Sequence, residues 1–128
     1  MKVLIVGGGE VGFHLAKHLS EEDQDVILIE SDPDRAEFAS QQLDVLTIVG
    51  NGASLPVLER AGVRKARMLL AVTSHDEVNL ISCLAANRLD VEYTIARISN
   101  PEYYARDSVL SREHLGIDLM INPERESA

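Results

Sequence analysis

A glycine-rich run directly after a short apolar stretch is the clearest candidate for chemistry in this sequence. Gly7, Gly9 and Gly12 form the pattern G-x-G-x-x-G, between an apolar run and a stretch with helical periodicity. In that context the first glycine permits a tight turn, the second lets a pyrophosphate approach the backbone, and the third lets the helix pack closely on the strand. The free amide groups of the helix N-terminus would face the phosphates. The alternative is a glycine loop that holds no ligand.

An acidic residue follows the glycine run at the distance expected for a ribose contact. Glu30 ends the second apolar stretch, where an acidic side chain accepts hydrogen bonds from the adenosine ribose hydroxyls. A 2′-phosphate would meet Glu30 and Asp32 with only Arg35 nearby, so NADP is disfavoured. Asp32 has an alternative role as the N-cap of a helix that begins at Pro33. The predicted contacts in these two segments are Gly7, Gly8, Gly9, Glu10, Val11, Gly12, Glu30, Ser31, Asp32 and Arg35.

Two further loops lie at predicted strand ends, where open parallel sheets bind their ligands. The first could pass beneath an adenine ring, and its predicted contacts are Gly50, Asn51 and Gly52. The second lies across the expected switch point of the sheet, and its predicted contacts are Thr73, Ser74, Asp76 and Asn79. Ser74 or His75 could instead cap the next helix. Arg97 adds a positive charge for a phosphate, with a structural salt bridge as the alternative.

The elements that must position these residues alternate along the chain. Short β-branched runs predict strands at residues 2–6, 25–30, 44–49, 68–72, 93–98 and 119–121. Amphipathic periodicity predicts helices at residues 10–22, 33–42, 54–61, 76–89 and 101–115. This alternation predicts an α/β, Rossmann-like, doubly wound parallel six-stranded sheet in the order 3-2-1-4-5-6, with helices on both faces. We expect residues 1–128 to form a single nucleotide-binding domain, with a further helix starting at Pro123, and the chain to be a fragment cut at a domain boundary.

Composition narrows the possible classes of function. The 128 residues include 12 Lys and Arg against 21 Asp and Glu, a formal charge of −9, which disfavours nucleic acid as a partner. A single cysteine, Cys83, excludes an internal disulfide and a cysteine-based zinc cluster, and its apolar surroundings predict a buried side chain. No apolar run approaches the roughly 20 residues of a membrane-spanning helix. These features favour a soluble protein of a reducing compartment.

The histidines give no convincing catalytic or metal-binding constellation. His14 and His18 are four residues apart on a predicted helix, which is metal-ligand spacing, but no third ligand is suggested nearby. His75 has no carboxylate to orient it except its immediate neighbours, and His114 precedes a helix end. We therefore predict no catalytic residue and no metal site. A nucleotide-binding module with a conformational output fits the sequence better than an enzyme.

The glycine run, "VGNGAS", "AVTSHDEVN" and "ARISNPEY" together resemble the N-terminal regulatory domains of the KTN or RCK family of potassium-transport proteins. The resemblance covers essentially the whole chain. It implies a cytoplasmic regulatory subunit, associated with the inner face of the cell membrane through a potassium-translocating membrane subunit. Its ligand would be NAD or NADH, with ATP or ADP in relatives. The family's glycines fall on Gly7, Gly9 and Gly12, and its two nucleotide-contacting acids fall on Glu30 and Asp32.

The resemblance also bears on assembly and on the adenine side. Asn51 stands where the family often has Asp. Family domains pair through apolar faces near the last helices, which suits Ile117, Leu119 and Ile121 and implies a homo-oligomer, either dimer or tetramer. Two functions of other classes stay open. The chain could be the cofactor half of a small NAD-dependent dehydrogenase, or a dehydrogenase-like fold kept only for oligomerisation.

Overall fold

Aliphatic and β-branched residues dominate the strands because both faces of the sheet are covered. In the computed structural model, which describes residues 1–122, the strands are β1 (Lys2–Val6), β2 (Asp25–Glu30), β3 (Leu46–Val49), β4 (Met68–Ala71), β5 (Tyr93–Arg97) and β6 (Leu119–Ile121). All five pairings are parallel, and the strand order is β3-β2-β1-β4-β5-β6. The predicted fold class and strand order are therefore confirmed.

Helices cover both faces of this sheet. They are α1 (Glu10–Glu21), α2 (Pro33–Gln42), α3 (Leu55–Arg60), α4 (Asp76–Arg88) and α5 (Arg112–Leu115). Successive side chains of a strand point to opposite faces. Val3 and Ile5 accordingly pack with Ala16 of α1 in one apolar cluster, whereas Leu4 and Val6 pack in a second cluster with the buried side chains of α3 and α4.

The last third of the chain differs from the predicted single helix over residues 101–115. The structure has a 3-10 turn at Pro101–Tyr104 and only the short α5 further on. The Tyr104 hydroxyl donates to the Ile98 carbonyl at 2.8 Å, and the Ser108 hydroxyl accepts from the Leu110 amide at 3.1 Å. Such local side-chain bonds compete with helical pairing, so this prediction was wrong.

The remaining boundaries agree with prediction to within two residues, the largest shift being at the start of β3. A further 3-10 turn at Val63–Lys65 was not predicted.

Ile117, proposed for an assembly face, is 2% exposed and belongs to the core, so it is not available to a partner. The predicted helix start at Pro123 lies outside the described residues. Within residues 1–122, no helix has the length and apolar content needed to cross a bilayer.

Candidate functional site

A cleft of about 440 Å³ opens at the carboxyl edge of the sheet, where the chain leaves β1 and β4 toward opposite faces. The predicted residues that line it are Gly7, Gly9, Glu10, Val11, Glu30, Ser31, Arg35, Gly50, Asn51, Gly52, Thr73, Ser74 and Arg97. The lining residues that were not predicted are Val6, Ile29, Val72, His75 and Val78. The fold thus gathers residues from the carboxyl ends of five strands, and from the loops that follow four of them, around one cavity.

The three glycines of the G-x-G-x-x-G pattern, two in the loop after β1 and one in α1, differ in what surrounds them. Gly7 has a φ of +108°, a conformation that L side chains rarely adopt. A Cβ at Gly12 would overlap the carbonyl oxygen of Gly7, so the close packing of α1 on β1 requires a glycine there. Gly9 has an ordinary φ of −71°, and a Cβ there would meet no heavy atom within 4 Å. The protein itself therefore requires glycine at positions 7 and 12 but not at position 9.

Glu30 ends β2 with its side chain fixed at the cleft wall. The residue is 5% exposed, and its two carboxylate oxygens accept separate backbone hydrogen bonds. Oε1 accepts from the Gly8 amide at 2.6 Å, and Oε2 accepts from the Asp32 amide at 2.7 Å. These are short, charge-assisted bonds. Gly8 thus contributes to the site by holding this carboxylate, and it does not line the cleft.

Asp32 lies outside the lining and caps α2, which is the alternative role that the sequence left open. Its Oδ1 accepts from the Asp34 amide at 2.9 Å, and its Oδ2 lies 3.9 Å from the Nε of Arg35. Both side chains of that pair are largely exposed, so the ion pair adds little stability. Arg35 reaches the cleft wall from α2.

The loop after β3 is held against the end of β1. A Cβ at Gly52 would overlap the Val6 side chain, so the backbone approaches β1 closely. The Gly52 carbonyl accepts from the buried hydroxyl of Ser82 at 2.8 Å, and Asn51 Oδ1 accepts from the Ala53 amide at 2.9 Å. These contacts fix the loop at the wall of the cleft.

The loop after β4 is organised by Thr73 and Asn79. Asn79 is fully buried; its Oδ1 accepts from the Thr73 amide at 3.0 Å and from the Thr73 hydroxyl at 2.7 Å. The Thr73 hydroxyl oxygen in turn accepts from the His75 amide at 3.1 Å. Neither Ser74 nor His75 caps α4: His75 occupies the N-cap position without a side-chain capping bond. The suggested cap by a Ser74 or His75 side chain was therefore wrong.

Asp76 and Asn79 do not line the cleft, although both were predicted as contacts. The Asp76 carboxylate accepts from the Ser99 amide at 2.9 Å and from the Asn100 amide at 2.8 Å, which ties the loop after β5 to the start of α4. Arg97 does line the cleft, and among residues 1–122 it forms no ion pair. The salt bridge considered as an alternative for Arg97 is thus not formed within the described chain.

The lining residues that sequence reasoning missed share a recognisable position. Val6, Ile29 and Val72 are at or just past the ends of β1, β2 and β4, immediately before or within the predicted loops. Their placement at strand ends indicated the ligand-binding edge of the sheet, but their apolar character is equally typical of core residues. Val78 lies in the first turn of α4, and nothing in the sequence separates it from the other apolar residues of that helix.

The described residues supply little chemistry beyond binding. Among residues 1–122, no group of three or more His, Cys, Asp and Glu side chains could hold a metal ion. Burial raises the pKa of the Cys83 thiol to about 12, which keeps it protonated at neutral pH. What the cleft offers is a fixed carboxylate, backbone amides at a helix N-terminus and a guanidinium without an ion-pair partner in the described chain.

The sequence profile of the TrkA-N domain matches residues 3–123 of this chain. The Trk system potassium uptake protein TrkA of Azorhizobium caulinodans is 45% identical over 129 residues, and the TrkA homolog of Archaeoglobus fulgidus is 49% identical over 125 residues. These alignments cover 98% and 97% of this chain, which spans 28% of the length of each relative.

Solved structures share the fold. The TrkA-N domain of the inner membrane protein ybaL from Escherichia coli aligns with a TM-score of 0.84 at 23% identity, over 98% of this chain and 90% of that one. The GsuK channel bound to NAD aligns with a TM-score of 0.77 at 22% identity, over 94% of this chain and 21% of that one. GsuK bound to ADP gives a TM-score of 0.79 at 22% identity, over 98% and 32% of the two chains. With the profile matched along nearly its whole length, this chain belongs to the TrkA-N domain family.

Proposed function

We propose that this domain binds NAD or NADH in the cleft and controls a potassium-translocating membrane subunit through a ligand-dependent change of conformation. Residues 1–128 act as a single nucleotide-binding regulatory domain, without turnover. The names of the two relatives as potassium uptake proteins support the transport role, and the NAD-bound GsuK structure supports the ligand. The domain would work at the cytoplasmic side of the membrane, bound to its partner.

The environment of Gly9 best supports a phosphate-bearing ligand. Its backbone is unstrained and a Cβ would meet no protein atom, so packing of the protein does not require a glycine here, whereas a molecule in the cleft could approach more closely without a side chain. Gly9 is also the N-cap of α1, whose first amide groups have no helical partner. A pyrophosphate seated there would accept from these amides and interact favourably with the helix dipole.

Glu30 supplies the proposed ribose contact. Each carboxylate oxygen already accepts one backbone hydrogen bond but has further lone pairs, so it can accept from ribose hydroxyls as well. The backbone bonds hold the carboxylate in place before the ligand arrives, which lowers the entropic cost of binding. A 2′-phosphate at this point would face a buried negative charge, and we therefore expect NADP to be rejected.

The second half of the ligand would lie toward β4 and β5. Thr73, Ser74 and His75 line that side, and Arg97 brings a positive charge to it. The same charge suits the terminal phosphate of ATP or ADP, which makes an energy-sensing domain the second candidate. The ADP-bound GsuK structure supports that alternative.

Control of a partner requires that the ligand favour one conformation over another. A nucleotide that bridges the glycine loop and the loops after β4 and β5 would hold these segments together. Neighbouring copies of the domain would sense this arrangement in a homo-oligomer, either dimer or tetramer. The half-exposed Leu119 on the edge strand β6 and the exposed Val109 would contribute to such contacts.

Calorimetric titration with NADH, NAD, NADPH, ATP, ADP and AMP under one set of conditions tests this function. We expect NADH or NAD to bind, NADPH to bind much more weakly, and absorbance at the reduced-nicotinamide band to stay constant. Preference for ATP or ADP would favour the energy-sensing alternative. Oxidation of NADH when carbonyl substrates are added would favour a dehydrogenase half, and no binding of any nucleotide would contradict the proposal.

A further inference from the structure

We propose that Asn79 is a positioning residue for the half of the nucleotide that lies beyond the switch point, and that it does not touch the ligand. This inference rests on the proposed nucleotide-binding function. It assigns a role different from the direct contact predicted from the sequence, because Asn79 is fully buried and absent from the cleft lining.

The amide of Asn79 joins two segments at the carboxyl ends of β4 and β5, just beyond Ala71 and Ala96, the last residues paired between these strands. Its Oδ1 accepts from the amide and the hydroxyl of Thr73, in the loop after β4. Its Nδ2 donates to the Thr73 carbonyl at 3.0 Å and to the Arg97 carbonyl, at the end of β5, at 2.7 Å. Both donors and both acceptor sites of one buried side chain are therefore occupied.

The two segments that Asn79 joins are those that line the far side of the cleft. Thr73 also packs against the glycine loop, since a Cβ at Gly7 would lie 3.0 Å from the Thr73 amide nitrogen. Asn79 thus ties the Arg97 carbonyl to Thr73, which in turn lies against the glycine loop. A displacement of about 1 Å at this point would misplace the groups that meet the second half of the ligand.

The adenosine side of the cleft is built without Asn79. Glu30 is held by the amides of Gly8 and Asp32, and the loop at Gly52 is held by Ser82. A change at position 79 should therefore lower the affinity for ligands that extend past the pyrophosphate, such as NADH, and leave the affinity for AMP unchanged. If Asn79 had a merely structural role, its replacement would lower the affinity for both ligands alike.

Asn79→Asp tests this separation with almost no change in shape. The aspartate keeps an acceptor toward Thr73 but directs its second oxygen at two carbonyl oxygens, which repel a carboxylate. At neutral pH we expect NADH affinity to fall at least tenfold and AMP affinity to change less than threefold. Lowering the pH would protonate the buried aspartate, restore one donor and recover NADH affinity. The same pH series on the unaltered chain, which carries the same Arg97 charge on β5, controls for the titratable neighbours His75, at the N-cap of α4, and Asp76, in its first turn.

Two further variants keep the test decisive. Asn79→Ala leaves Thr73 and Arg97 without their shared partner and should lower NADH affinity in the same selective way, without the pH recovery. Thr94→Val removes an equally buried hydroxyl that donates to the Gly116 carbonyl on the β6 side, away from the cleft, and should change neither affinity. Equal weakening of NADH and AMP, or unchanged NADH affinity in both Asn79 variants, would overturn the inference. An unaltered chain that binds neither ligand would instead overturn the proposed function itself.

Discussion

The substitutions Gly9→Ala and Gly12→Ala should distinguish a glycine that ligand binding requires from a glycine that the packing of the protein requires. At Gly12 the new Cβ would overlap the Gly7 carbonyl oxygen. The backbone fixes the position of a Cβ, and the carbonyl is itself a backbone group, so α1 must shift away from β1. Overpacking of this kind costs about 1–3 kcal/mol and occasionally more. We expect Gly12→Ala to lower the free energy of unfolding by at least that amount.

At Gly9 the two effects on stability nearly cancel. Restricting the unfolded chain stabilises by about 0.4–1 kcal/mol where the native φ and ψ suit alanine, as they do here. Alanine is a poorer N-cap than glycine by roughly half a kcal/mol, which offsets that gain. The free energy of unfolding of Gly9→Ala should therefore lie within about 0.5 kcal/mol of the unaltered chain, since surface changes without lost contacts have effects of this size.

Gly9→Ala should nevertheless weaken NADH binding, although it leaves the stability nearly unchanged. The Gly9 methyl would project into the cleft at the start of α1 and keep a pyrophosphate from the amides there. Losing one hydrogen bond to a charged group costs about 1.5–3 kcal/mol, which corresponds to roughly a 10- to 150-fold weaker affinity. Urea unfolding followed by circular dichroism gives the stability, and calorimetric titration with NADH gives the affinity. A Gly9→Ala chain with unchanged NADH affinity, or one as unstable as Gly12→Ala, would refute the reasoning.

Three other predictions follow from particular contacts. Glu30→Gln leaves one of two backbone amides facing an NH₂ group, so the free energy of unfolding should fall by about 1.5–3 kcal/mol and NADH affinity should weaken. Equal urea midpoints for this variant and the exposed control Glu37→Gln would contradict the prediction. Asp32→Ala removes the cap of α2 and should lower the free energy of unfolding by about 0.5–2 kcal/mol. NADH affinity should stay constant, because Asp32 does not line the cleft, and a clear loss of affinity by calorimetry would show that Asp32 contacts the ligand. Cys83, with its pKa raised to about 12 by burial, should resist thiol-specific reagents at pH 8 in the native protein and react in denaturant; rapid native-state labelling would show that the core opens there.

Much of the fold was predictable because it rests on local patterns. Alternating β-branched runs and amphipathic stretches predict a parallel sheet, and the glycine pattern after β1 identifies its first crossover. The helix over residues 101–115 was not predictable in the same way. Tyr104 and Ser108 form side-chain bonds with backbone groups, and these override a moderate helical pattern.

The sequence by itself determined which residue types reach the carboxyl edge of the sheet, because every parallel strand delivers its following loop to that edge. Tertiary structure alone decided which of them face the cleft. Asn79 and Asp76 carry polar groups of the expected kind, yet packing turns them toward the backbone of neighbouring loops, whereas Gly9 is left facing open space. The physical reason is that buried polar groups must find partners, and those partners come from segments distant in sequence, whose positions no local pattern specifies.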